Sequence, residues 1–223
     1  MTMGKKLGLV VALLCLSLVT TACGMARNGR HSESMGTLME SRHQSKAATK
    51  QTVIAAVTDL VEVFVYYDNK VGNDGYLISD ALDAEILPTV QTAIQTDLID
   101  PKAKFESQET KAIKKLRAAN ISQTDVSNMV TNYRQIREVH KKSVEAMQGL
   151  TVDNAGQTAQ NLSQIQTGLT SELNSDFSYA MMMVIYDAGY PEKEVSTEYS
   201  TILENAMRRY GDPADVAKID AAQ

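Results

Sequence analysis

The sequence predicts an all-α protein, a helical bundle of five or six helices that follows a signal peptide and a flexible tether. Three observations carry that prediction. Apolar residues recur at alternating steps of three and four in segment after segment, the period of a helix rather than a strand. Good helix formers are abundant, against 12 Gly, 4 Pro and 3 Phe in 223 residues. The only two cysteines, Cys15 and Cys23, lie at the extreme N-terminus, so the body must be held by packing and not by disulfides. With 43% hydrophobic and 22% charged residues the chain has enough apolar material for one domain, or at most two small ones. A formal charge of −5 leaves no electrostatic footprint for nucleic acid at the whole-chain level.

Residues 1–22 have the three regions of a signal peptide: Lys5 and Lys6, an apolar run from Leu7 to Val19, and small residues at Thr20, Thr21 and Ala22. Thirteen apolar residues fall short of the roughly 18 to 20 that span a bilayer, so a cleaved leader is the better reading. Myristoylation is disfavoured because the glycine is Gly4 and not the second residue. The stretch Val19-Thr20-Thr21-Ala22-Cys23-Gly24 resembles the lipobox of bacterial lipoproteins. Ala22 and Thr21 match that pattern, whereas Thr20 stands where the class places Leu or another aliphatic residue.

The resemblance implies that the Cys23 sulfur receives a diacylglyceryl group with palmitate-type chains, and that cleavage makes Cys23 the new N-terminus. Ordinary secretion with cleavage after Ala22 is the competing reading. Each buried CH₂ contributes about 0.8 kcal/mol, so a two- or three-chain anchor is effectively permanent. In a Gram-negative cell, Gly24 and Met25 imply sorting to the outer membrane rather than retention at the inner one, with the body in the periplasm. Cleavage would remove two lysines and no acidic residue, giving 201 residues with a formal charge of −7.

Residues 23–46 are rich in Gly, Ser, Arg, His and Asn without apolar periodicity, and read as a tether. With Lys50 included, this part carries a net charge of +3, suited either to anionic headgroups or to a solvated spacer.

The helical domain is expected over residues 47–223. Val53, Val57, Leu60, Phe64, Tyr67 and Val71 put one stripe on the first helix, although Val61 to Tyr67 alone could pass for a strand. Asn73-Asp74-Gly75 predicts a turn, and Ser79 an N-cap for a second helix carrying Leu82 and Ile86, with Asp80, Asp83 and Glu85 in its early turns. Pro88 predicts a kink before Val90, Ile94 and Leu98, and Asp100-Pro101 a break. Phe105, Ile113 and Leu116 mark a third helix ending near Asn120. Ser122 and Asp125 resemble a capping box for a fourth, which carries Val126, Met129, Tyr133, Ile136, His140 and Met147 and stops at Gly149. One long helix is expected from Asp153 to Ala188, closed by Gly189, and a last one from Ser196 to Tyr210, closed by Gly211 and Pro213.

Candidate chemistry is sparse. Asp68 to Asp80 has the composition of a calcium loop, but placing Gly75 at the sixth position puts Lys70 first and Ala81 twelfth, where carboxylates are needed. His140 has no carboxylate at i+3 or i+4 and no Glu-x-x-His pair exists, so it reads as a core histidine and no metal or other cofactor is expected. Met181-Met182-Met183 points three ways around a helix and reads as packing. No nucleophile elbow, P-loop, zinc-protease helix or dinucleotide fingerprint occurs, and the expectation is a protein that is not an enzyme.

Charge is uneven: residues 101–142 carry a net +6, while 51–100 and 143–223 each carry −8. Lys111, Lys114, Lys115 and Arg117, with Arg134, Arg137, Lys141 and Lys142, form a candidate basic interaction patch or, alternatively, solvated faces that neutralise acidic neighbours. The expected partners are a membrane, through the lipid, and another envelope protein served in assembly, secretion, conjugation, exclusion or envelope maintenance. A helical ligand- or metal-binding module is the alternative, and an unrecognised hydrolase a third.

Overall fold

The computed structural model describes residues 47–78 and 82–221, all of whose regular structure is helical. In chain order the helices are α1 (Ala47–Leu77), α2 (Leu87–Ala93), a π-helical turn (Ile94–Ile99), α3 (Lys102–Ala118), α4 (Gln123–Met147), α5 (Ala155–Gln166), α6 (Ser171–Asp187), α7 (Glu192–Tyr210) and α8 (Pro213–Ala221). Cys23, the leader and the tether lie outside the described residues, as do Ser79 and Asp80.

α1 is the axis around which the others pack, touching α3, α4, α6 and α7. All six residues of its expected stripe are buried, and Ala56, Val61, Val63 and Val65 are buried beside them. A helix surrounded on most sides needs that broad apolar surface, which is why the β-branched run Val61 to Tyr67 is helical and not a strand. The first half of α1 meets α4, α6 and α7 in one core around Leu60, Phe64, Met129, Phe177 and Tyr199. Its last turns meet α2, the start of α3, the end of α4 and α5 in a second core around Tyr67, Val71, Leu98, Phe105, Met147 and Leu162.

Several expected boundaries are corrected. The Asn73-Asp74-Gly75 turn is instead the last full turn of α1. Asp74 is buried there, and a Cβ on Gly75 would stand 3.7 Å from Leu162 Cδ1, so packing against α5 holds a sequence that locally favours a turn. The calcium-loop candidate is accordingly helical through Leu77. The second helix starts later than expected, at Leu87, where the Asp83 carboxylate accepts from the Glu85 and Ile86 amides at 2.9 and 3.0 Å. Pro88 therefore opens this helix and does not kink it, because a first-turn proline has no amide partner to lose.

The helix expected over 153–188 is two, since Thr167, Gly168 and Leu169 turn the chain and the Thr170 hydroxyl caps α6 by accepting from the Leu173 amide at 3.0 Å. α8 follows the expected stop at Gly211 and Pro213, where Pro213 again begins a helix. Splitting one helix and adding α8 takes the count of α-helices to eight among the described residues, against the five or six predicted.

Other signals act as read. Ser122 caps α4, its hydroxyl accepting from the Asp125 amide at 3.3 Å. Gly189 has φ 95° just past α6, the left-handed conformation that a Cβ disfavours. At Gly211 an added Cβ would sit 2.5 Å from the Met207 carbonyl oxygen.

Candidate functional site

The most organised polar chemistry lies inside the bundle, where α1, α3 and α4 meet. Tyr133, Arg137 and His140 follow one another at steps of four and three on α4, and all three are buried. Arg137, only 5% exposed, pairs through Nε with Glu109 Oε1 on α3, and the Tyr133 hydroxyl donates to the same oxygen at 2.7 Å. The guanidinium also lies 3.9 Å from the centre of the Tyr67 ring on α1. A cation taken out of water is thus compensated by a carboxylate and an aromatic face together.

His140 is fully buried, and its rings of contact are Phe64 and Tyr67, at 6.3 and 6.2 Å between centroids. Arg137 Nη1 lies 3.3 Å from His140 Nδ1. A guanidinium only donates, so Nδ1 is the acceptor and the ring proton belongs on Nε2, which faces Asp68 Oδ1 at 3.7 Å. Burial lowers the His140 pKa, Asp68 works against that shift, and the neighbouring Arg137 adds to it, so the ring is neutral near pH 7. Burial likewise pushes Tyr133 well above the ordinary phenol value, with the Glu109 carboxylate adding to the effect. Ser143, one turn along α4, is the hydroxyl closest in sequence to this imidazole, but it is fully buried, and the ring nitrogen not facing Asp68 is taken by Arg137. The arrangement of a relay from carboxylate through imidazole to an accessible nucleophile is therefore not made here.

A second polar feature opens to solvent between α4 and α6. It is a groove of about 260 Å³ lined by Asp125, Asn128, Thr131, Asn132, Asp176 and Tyr179, with Ala180 and Met183. Among the described residues no cationic, histidine or cysteine side chain lines it, and no group of three or more His, Cys, Asp or Glu is placed to hold a metal ion. Amide, carboxylate and hydroxyl groups at its wall suit a small polar molecule by hydrogen bonding.

The candidate basic patch is divided by the fold. Arg137 does not belong to it: its place on the same face as Tyr133, His140 and Val144 turns it into the core, against Glu109. Lys115 lies 3.6 Å from Asp59 of α1 and Lys142 is 3.6 Å from Glu138, one turn back on its own helix. Lys111, Lys114, Arg117, Arg134 and Lys141 are exposed on α3 and α4.

Of the buried cluster's partners, Glu109 is not singled out by the sequence, and Asp68 only as the start of the calcium-loop candidate. The cluster's signal was available on α4, where Tyr133, Arg137 and His140 interrupt an otherwise apolar stripe. The Met181 to Met183 run is wholly buried, as packing residues are. No family model, curated protein or solved structure matches this chain.

Proposed function

We propose that the chain is a bacterial envelope lipoprotein, anchored through Cys23, whose helical bundle acts as a non-enzymatic interaction or assembly factor. The observation that carries the reading is the sequence Val19-Thr20-Thr21-Ala22-Cys23-Gly24 behind a charged and apolar leader. The reading goes with a body in which, among the described residues, no helix is long and apolar enough to cross a membrane, so that the proposed lipid would supply the attachment. The reading is supported by the inward use of the strongest polar chemistry: Arg137, Glu109 and Tyr133 cross-brace α3 and α4 rather than open to a substrate. The basic residues left on α3 and α4 and the apolar end of α1 are the surfaces such a factor would offer.

Fractionation tests the anchor. In Cys23→Ser the protein should move from the membrane to the soluble envelope fraction with unchanged helicity, while tight membrane association of that variant would contradict the reading. The groove between α4 and α6 favours a second reading, a module that holds a small polar molecule between helices. Asp125 and Asn132 substitutions that abolish a ligand-induced rise in melting temperature would support it.

A further inference from the structure

Among the described residues only four large apolar side chains are exposed, and all four belong to one end of the bundle. Tyr76 and Leu77 close α1, both 45% exposed; Ile86 precedes α2 at 49%; Val152 sits in the loop between α4 and α5 at 41%. Their neighbours bury themselves together, since Ile78, Leu82, Val90, Leu150 and Ala155 all belong to the second core. The Gln91 side chain donates to the Leu150 carbonyl at 2.9 Å and ties α2 to the loop that carries Val152. Scattered exposed leucines are ordinary, but the whole exposed set gathered at one tip marks a contact surface.

The tip is also one-sided in charge. The stretches 71–78, 82–101 and 143–170, which build it, contain seven acidic residues and no Lys, Arg or His. Asp83, Glu85 and Asp153 are exposed beside the apolar residues. Of the cations that border these stretches, Lys70 is paired with Asp97 at 2.7 Å and Lys142 with Glu138, leaving Lys102. The tip lies at the far end of α1 from Ala47, and 31 helical residues at about 1.5 Å each place it roughly 45 Å from that start.

We propose that this tip docks a basic amphipathic segment of a partner protein: apolar side chains seat on Tyr76, Leu77, Ile86 and Val152, while lysines or arginines meet Asp83, Glu85 and Asp153. The inference rests on the interaction-factor reading and names the chemistry of the partner. An acidic rim around an apolar centre steers a cationic segment and repels an anionic one, so charge selects the partner and apolar burial holds it. An anionic bilayer is the wrong occupant for the same reason.

The test uses the full lipidated chain in phosphocholine nanodiscs, with empty nanodiscs as the blank. Three helical peptides share one leucine face and differ only in a Lys, Glu or Gln polar face, and each carries one Trp. The chain has no Trp, so the peptide indole reports binding alone. The Lys peptide should bind, weaken as salt rises, and lose about tenfold or more in affinity with Leu77→Asp or Ile86→Asp. Both positions are exposed, so circular dichroism of these variants should match the parent. Glu85→Lys with Asp153→Lys should shift preference to the Glu peptide.

Equal binding of all three peptides that still depends on Ile86 would overturn the basic partner and leave the interaction reading standing. Self-association abolished by Ile86→Asp would overturn it in favour of a second copy. Failure of every peptide, with no self-association, would overturn the docking tip alone, since the interaction-factor reading is tested separately by the fractionation of Cys23→Ser.

Discussion

Removing the Glu109 carboxylate should cost this protein a large part of its stability. In Glu109→Ala the Arg137 guanidinium stays in a site where its side chain is 6% exposed, and its ion pair is gone. The Tyr133 hydroxyl, buried with it, loses its acceptor at 2.7 Å. Breaking one partner of a buried pair costs about 3 to 5 kcal/mol because the remaining charge is uncompensated. The cation–π contact with Tyr67 is the same before and after and cancels from the difference, so the lower end of that range, about 3 kcal/mol, is the least loss expected. For a domain of this size each kcal/mol is worth about 2 to 4 °C, which predicts a fall of roughly 6 to 12 °C in Tm. Urea titration followed at 222 nm, with calorimetry alongside, measures both quantities. The triple variant Glu109→Leu, Arg137→Met, Tyr133→Phe removes the carboxylate, the guanidinium and the hydroxyl that meet at Glu109 together and should recover most of the loss. A single variant within about 0.5 kcal/mol of the parent, or a triple variant worse than the single one, would refute the reasoning.

Asp74 gives a pH prediction. Burial, with the nearby Asp97 charge, raises its pKa from 3.8 to about 6, and Lys70 opposes the shift. The folded state then holds this proton more tightly than the unfolded one, so stability from this group is greatest below pH 3.8 and falls as pH rises to about 6. Asp74→Asn should therefore stabilise by about 1 to 3 kcal/mol at pH 7.5 and by almost nothing at pH 3.5, read from urea midpoints at the two values. Gly189→Ala, at φ 95°, should cost about 1 to 2 kcal/mol with an unchanged m-value. Gly211→Ala should be at least as damaging, because its Cβ meets a backbone carbonyl rather than a flexible side chain; thermal melts rank the two.

The parts of this fold that could be read in the sequence are those dictated within a few residues of themselves. The stripe Val53 to Val71 identifies α1 because six residues agree on one helical face. Ser122 and Gly189 announce a start and a stop because capping is chemistry between near neighbours. The misreadings occurred where distant packing competes with local preference. Asn73-Asp74-Gly75 favours a turn on its own, but Leu162, almost ninety positions later, fills the space beside Gly75 and extends the helix. Gly168 and Thr170 carried a legible break that the continuous apolar stripe through Leu162, Leu169 and Phe177 concealed.

The same asymmetry governs the site. The stripe alone marks His140 as a core residue, while Arg137, on the same face, reads as a surface cation because charge is ordinarily solvated. Only the approach of Glu109 from α3 and the Tyr67 ring from α1 makes its burial tolerable, and neither lies within 25 residues of it in the chain.

The chemical state of the mature N-terminus is the most direct measure of what this protein is. Mass spectrometry of the chain isolated from its own membranes should find a first residue Cys23 whose sulfur bears a diacylglyceryl group, with residues 1–22 removed. A chain that begins at Cys23 with an unmodified thiol, or one that retains Lys5 and Lys6 in an uncleaved leader, would contradict the account.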